Sequence, residues 1–200
     1  TGIPYVLIDG RFEATPASLR LLGQILGVEE RAEKLARYVE NSFAEIDRVL
    51  AEIPPDKRPR VYLARGPDGL ETGLTGSINT EIIEQIIVAN PDTILTWDPI
   101  FYDAVWKDPL WSGIEAVKRK RVYLAPTAPF GWIDRPPSLN RVIGLKWLPA
   151  LFYPDRFQHD LKEITREFYS LFYHVNPTDE EIDRLILWSK GTPPLTTKRP

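Results

Sequence analysis

Apolar positions follow a helical period through most of the chain and no period at all in a few short runs. Between residues 29 and 53, Ala32, Leu35, Ala36, Val39, Phe43, Ile46, Val49, Leu50 and Ile53 fall on one stripe, with charged residues opposite. At ~1.5 Å per residue this predicts a helix about 40 Å long, long enough to connect two lobes. Ahead of it, Tyr5-Val6-Leu7-Ile8 is an apolar run bounded by Pro4 and by Asp9-Gly10, which predicts a buried strand. Thr15-Pro16 then reads as an N-cap and first-turn proline for a helix carrying Leu19, Leu22, Ile25 and Leu26, with Gly27 as its stop.

Three further runs read as strands: residues 60–64 (RVYLA), 93–97 (TILTW) and 121–124 (RVYL). Helical stretches fall between them, at 79–88 and around 102–106. Strand-helix-strand alternation implies parallel pairing and an α/β layer fold. After Ala125 the pattern turns helical. Residues 138–148 place Leu139, Val142, Ile143 and Trp147 on one face. Residues 157–172 turn Leu161, Ile164, Phe168, Leu171 and Phe172 inward. Thr178 followed by Glu181 is a capping box that opens a last helix over 179–188. The chain thus divides into residues 1–28, a long connecting helix at 29–53, an α/β unit at 54–190 whose helices flank a parallel sheet, and a tail at 191–200.

Composition narrows the chemistry. The 200 residues hold no cysteine and two histidines, His159 and His174, which removes thiolate catalysis, cysteine metal sites and any multi-histidine metal centre. Lys and Arg number 25 against 28 Asp and Glu, a net charge of −3, so no broad basic field points to nucleic acid. Methionine is absent even at position 1, which implies a chain that begins mid-protein or has been processed or engineered. No run approaches the roughly 20 apolar residues of a membrane span, and no leader opens the chain.

The unusual residues cluster just after the strands, where open α/β sheets bind their ligands. After the first comes Arg65-Gly66-Pro67-Asp68-Gly69, continuing to Ser77 with four glycines in all. Arg65 offers a rigid fork of donors to a carboxylate, an oxyanion or a chelate. The glycine spacing is not that of a phosphate loop or a dinucleotide fingerprint. After the second strand comes Trp97-Asp98-Pro99-Ile100-Phe101-Tyr102, and after the third Ala128-Pro129-Phe130-Gly131-Trp132. Two aromatic loops at one rim would form an apolar wall with polar tips. The competing reading packs Trp97, Tyr102 and Trp132 beneath the C-terminal helices, as is expected of Trp106, Trp111, Trp147 and Trp188. His174 reads as a helix-end cap and His159 as a solvated side chain. No nucleophile motif and no carboxylate pair suggests catalysis.

In order along the chain, the long helix, RVYLARGPDGLETGLTGSINTE at 60–81, ANPDTILTWDPIFY at 89–102 and KRKRVYLAPTAPFGWIDRPPSLNRVIGLKWL at 118–148 resemble the class III substrate-binding proteins of ABC importers. This family binds iron-siderophores, haem, cobalamin and, in some members, molybdate or tungstate. The resemblance implies a clamp of two lobes, with only a remnant of the first lobe at 1–28 and a C-terminal α/β ligand-binding lobe at 54–190, and an internal deletion where Glu84 runs straight into Gln85-Ile86-Ile87.

It implies capture of an iron chelate or related metal complex for a membrane permease, outside the cytoplasm in the periplasm or at the membrane's outer face, with no enzymatic activity and no cofactor. Ligand-binding candidates are Arg65, Gly66, Ser77, Asn79, Trp97, Tyr102, Phe130 and Trp132. Glu81, with Glu71 as its rival, would dock on the permease. A molybdate or tungstate oxyanion is the alternative ligand, bound by backbone N–H groups of the 66–77 loop. A non-binding α/β scaffold is the other alternative, and its exposed lobe face would favour self-association.

Overall fold

The computed structural model describes residues 2–69 and 91–186. In order these form α1 (Thr15–Leu26), α2 (Glu29–Ala51), β1 (Val61–Ala64), β2 (Thr93–Thr96), α3 (Pro99–Ala104), α4 (Pro109–Ser112), α5 (Glu115–Lys118), β3 (Val122–Leu124), α6 (Arg141–Phe152), α7 (Leu161–Tyr173) and α8 (Asp179–Ile186). The expected helix at 79–88, the candidates Glu71, Ser77, Asn79 and Glu81, Trp188 and the 191–200 tail lie outside the described residues.

The strands form one parallel sheet in the order β1-β2-β3. Val61 pairs with Thr93 and Ala64 with Thr96, while Ile94 pairs with Val122 and Thr96 with Leu124. All four residues of β2 are buried, as a central parallel strand covered on both faces requires. Successive side chains alternate between two cores. Leu63, Leu95 and Tyr123 face the larger core with α2, α6, α7 and α8. Ala64, Ile94 and Val122 face a smaller core built by Phe101, Tyr102, Val105, Trp111 and Val117 of the α3–α5 segment. The result is helix, sheet and helix in three layers.

α2 follows the predicted stripe: Ala32, Ala36, Val39, Ile46, Val49 and Leu50 are buried, and Leu35 and Phe43 pack against the same core. At 23 residues it spans about 35 Å. α1 lies back along α2 after a turn at Gly27, whose φ of +67° is the left-handed conformation glycine adopts freely. At Gly23 the two helices approach so closely that a Cβ would fall 2.3 Å from the Ala32 Cβ. The capping box forms as expected: Thr178 N donates to Glu181 Oε2 at 2.8 Å and Glu181 N to Thr178 Oγ1 at 3.3 Å. His174 closes α7 in the left-handed conformation. His159 is half-exposed and paired with Glu45.

Three local expectations are corrected. Residues 5–8 are not a buried strand: they carry no regular structure, and Tyr5 and Leu7 are 90% and 89% exposed. A strand needs a neighbour to satisfy its backbone, and among the described residues none lies beside them. Thr15 is not the N-cap of α1. A 3-10 turn at Phe12–Ala14 precedes it, so Thr15 is already helical, with Ala14 at the cap. Leu139 precedes α6 and is exposed rather than inward.

The α1–α2 pair carries an ion network. Arg20 Nε lies 2.6 Å from Glu33 Oε2, Arg20 Nη1 2.6 Å from Glu40 Oε1, and Arg37 Nε 2.7 Å from Glu33 Oε1. The Arg20 hydrogen bond, then that of Arg37, holds the Glu33 carboxyl down to about 2 against an ordinary 4.5. A lowered folded-state value means this contribution is complete above about 4.5 and is lost as pH falls toward 2. Thermal melts from pH 7 to pH 2.5 are expected to show a steeper acid loss for the wild-type chain than for Arg20→Gln. Equal slopes would mean the network contributes nothing to stability.

Candidate functional site

Parallel pairing brings the carboxyl ends of β1, β2 and β3 to one rim, so the three exit segments meet there. At the β1 exit the chain turns sharply: Gly66 and Gly69 have φ of +73° and +72°, and Gly69 N donates to Gly66 O at 3.0 Å. The turn is anchored from below by Tyr62, whose hydroxyl donates to Gly69 O at 2.8 Å. Arg65 therefore leaves β1 on a fixed base. Its guanidinium lies over the Trp97 ring, 5.2 Å from the centroid, with 25% of the side chain exposed. Nη2 stands 3.8 Å from Asp134 Oδ2.

The β2 exit carries Trp97, then Asp98, which caps α3 by accepting from Ile100 N at 2.8 Å. Trp97 is 7% exposed, and its Nε1 has no hydrogen-bond partner among the described residues. The β3 exit is a rigid loop. Trp132 N donates to Pro126 O at 3.0 Å, Asn140 Nδ2 donates to Phe130 O at 2.8 Å, and the Tyr169 hydroxyl donates to Ala128 O. Next to Trp97 the rim opens into a cleft of about 410 Å³, walled by Leu124, Pro126 and Ala128 on one side and by Glu181, Arg184 and Leu185 of α8 on the other.

The structure thus joins Arg65 to Trp97 and sets Gly66 beside them in the turn. Phe130 lies in the β3-exit loop and is 43% exposed. Tyr102 and Trp132 are corrected. Both are 0% exposed, Tyr102 in the smaller core against Trp106 and Trp132 in the larger core against Trp147, so neither forms a wall of the rim. The reason is geometric. Tyr102 sits a full turn inside α3, whose inner face covers the sheet, and Trp132 follows the point where the loop folds back under α6. Trp111 and Trp147 are core residues as expected.

Two features of the rim escape pattern reading. Arg184 lies on the polar side of an amphipathic helix, with nothing in its spacing to bring it to the strand exits. Asp134, in Trp132-Ile133-Asp134-Arg135, is a carboxylate buried to 1% exposure. Its Oδ1 accepts from Arg135 N at 2.8 Å, and its Oδ2 accepts no hydrogen bond among the described residues. Burial pushes its carboxyl above the ordinary carboxylate value, opposed by the Arg135 amide and by the charges of Arg65, Arg141 and Arg135. A single flanking charge in a Pro-rich loop gives no sign of such burial.

The fold matches proteins already solved. The periplasmic solute-binding protein of Veillonella parvula superposes with a TM-score of 0.79 at 31% identity, over 95% of this chain and 65% of that one. An ABC transporter solute-binding protein from Sulfurospirillum deleyianum superposes at 0.81 with 30% identity, over 89% of this chain and 62% of that one. Its structural relatives are ABC transporter solute-binding proteins. Among curated proteins, the molybdate-binding protein MolA of Haemophilus influenzae is 27% identical over 182 residues, 79% of this chain and 51% of MolA. The chain spans about half the length of the curated relatives it matches. No family model matches it. Among the described residues, no helix is long and apolar enough to cross a membrane, and no group of three or more His, Asp or Glu could hold a metal ion.

Proposed function

We propose that this chain is a substrate-binding component of an ABC import system, and that its strand-exit rim captures an iron chelate or related metal complex for a membrane permease. The observation that carries the reading is the Arg65 guanidinium laid on the Trp97 ring beside an apolar cleft, at the carboxyl rim of the parallel sheet. Such a rim combines the Arg65 charge, Arg184 in the cleft wall, an indole ring and an indole N–H with no hydrogen-bond partner among the described residues. It suits a ligand with a delocalised anionic edge and an apolar body. The work is binding alone: the reading assigns no catalytic residue. The site of action would be the periplasm or the outer face of the membrane, where substrate-binding components meet their ligands. Glu71 and Glu81 remain the candidates for permease docking.

The likeness to MolA favours a second reading, capture of an oxyanion such as molybdate or tungstate. A melting screen against ferric chelates, haem, cobalamin, molybdate and tungstate separates the two. Ligand at 100 times its dissociation constant is expected to add about 2.7 kcal/mol. Arg65→Ala is expected to abolish that gain. No shift with any compound would favour the non-binding scaffold and overturn the transport reading.

A further inference from the structure

At the rim, Asp134 is a buried carboxylate with one oxygen that accepts no hydrogen bond among the described residues. Arg65 Nη2 stands 3.8 Å from that oxygen, an ion pair without a hydrogen bond. Two more arginines act on it through their charge: Arg141, which also lies over the Phe12 ring at 4.8 Å and reaches Gly10 O at 3.4 Å, and the exposed Arg135. Arg65 thus meets two groups, the Trp97 ring at 5.2 Å and the Asp134 carboxylate at 3.8 Å. A ligand that meets this guanidinium meets a charge already partly offset by that carboxylate.

We propose that Asp134 sets the charge selectivity of the rim: its carboxylate steadies Arg65 against Trp97 and subtracts from its field, so the site takes ligands of low net negative charge, such as a charge-compensated metal chelate, in preference to a bare dianion. The proposal rests on Arg65 being the ligand-binding cation of the function proposed above. The repulsion between Asp134 and a bound anion scales with the anion's charge, so in logarithmic terms it is twice as large for a dianion as for a monoanion. Burial of the carboxylate keeps solvent from screening that difference.

The test uses two tetrahedral oxyanions of similar size and different charge, molybdate (2−) and perrhenate (1−), titrated calorimetrically into the 200-residue chain. Asp134→Asn keeps the side-chain shape and removes the charge. It is expected to tighten molybdate about tenfold and perrhenate about threefold, moving their affinity ratio toward the dianion. Asp134→Ser is a second neutral variant should the asparagine form fail to fold, and thermal melts report that directly. A structural role alone would weaken both anions equally and leave the ratio unchanged. An unchanged ratio, with binding still lost in Arg65→Ala, overturns the selectivity role and leaves the binding rim standing. Binding that survives Arg65→Ala, or no binding of either anion by any form, overturns the rim itself and the selectivity role with it.

Discussion

Gly144→Ala is expected to destabilise the chain by roughly 3 kcal/mol or more, a large effect for a single methyl group. Gly144 ends the first turn of α6, where a Cβ would fall 1.8 Å from the carbonyl oxygen of Trp132 and 2.8 Å from its carbon. Both are backbone atoms, so no side chain can rotate away. Trp132 cannot retreat, because its amide is tied to Pro126 O and its ring fills the core beneath. Either α6 lifts from the β3-exit loop, exposing Ile143 and Leu145, or the loop is pushed outward with Asp134 on it.

At this chain length the loss corresponds to a fall of roughly 6–12 °C in melting temperature. Gly113→Ala is the control: nothing lies within 4 Å of a Cβ there, and little change is expected. If thermal denaturation finds Gly144→Ala within 0.5 kcal/mol of the parent, α6 is not seated on the Trp132 carbonyl. The seating of the rim loop on the helix layer would then have to be abandoned.

What could be read ahead of the structure follows a physical division. The sheet was legible because each strand is a short apolar run cut off by Gly, Pro or Asp, and the sequence pattern predicts helices between the runs. That combination leaves parallel pairing as the economical solution. α2 was legible because its stripe persists over six turns, and the last helix because its capping box is a local motif. The exit of each strand was equally plain, and with it the place of Arg65 and Trp97.

The strand expected at residues 5–8 failed for a non-local reason. Apolar content marks a segment that wants burial but does not supply the neighbouring strand. The aromatic loops divided for the same kind of reason. Trp97, Tyr102 and Trp132 have similar local surroundings, yet only the path of the backbone afterwards decides which ring faces the cleft. α3 turns Tyr102 down onto the sheet, and the fold-back under α6 buries Trp132. Asp134 was invisible because burial of a charge depends on what packs over it, and the residues that do so come from α6 and from Arg65, distant in sequence.

Trp132 also offers the sharpest test of that division. The ring is fully buried, meets Trp147 edge-on at 6.3 Å, and its Nε1 donates to the Tyr169 hydroxyl at 3.4 Å. Trp132→Ala is expected to cost about 3–5 kcal/mol, because it opens a cavity in the larger core that the rigid loop and α6 cannot close. Urea denaturation measures it. Trp132→Phe separates structure from ligand contact. It keeps an aromatic ring in the core and gives up one long hydrogen bond, while Tyr169 keeps its own bond to Ala128 O. Its stability cost is expected near 1 kcal/mol. Ligand affinity of the phenylalanine form, measured where it is fully folded, is expected to stay within about threefold of the parent, whereas a ring forming part of the ligand wall would lose about tenfold or more with its indole. A large loss of affinity without a matching loss of stability would return Trp132 to the rim. It would also mean that α6 and the β3-exit loop part when ligand enters, exposing a ring that the ligand-free packing hides.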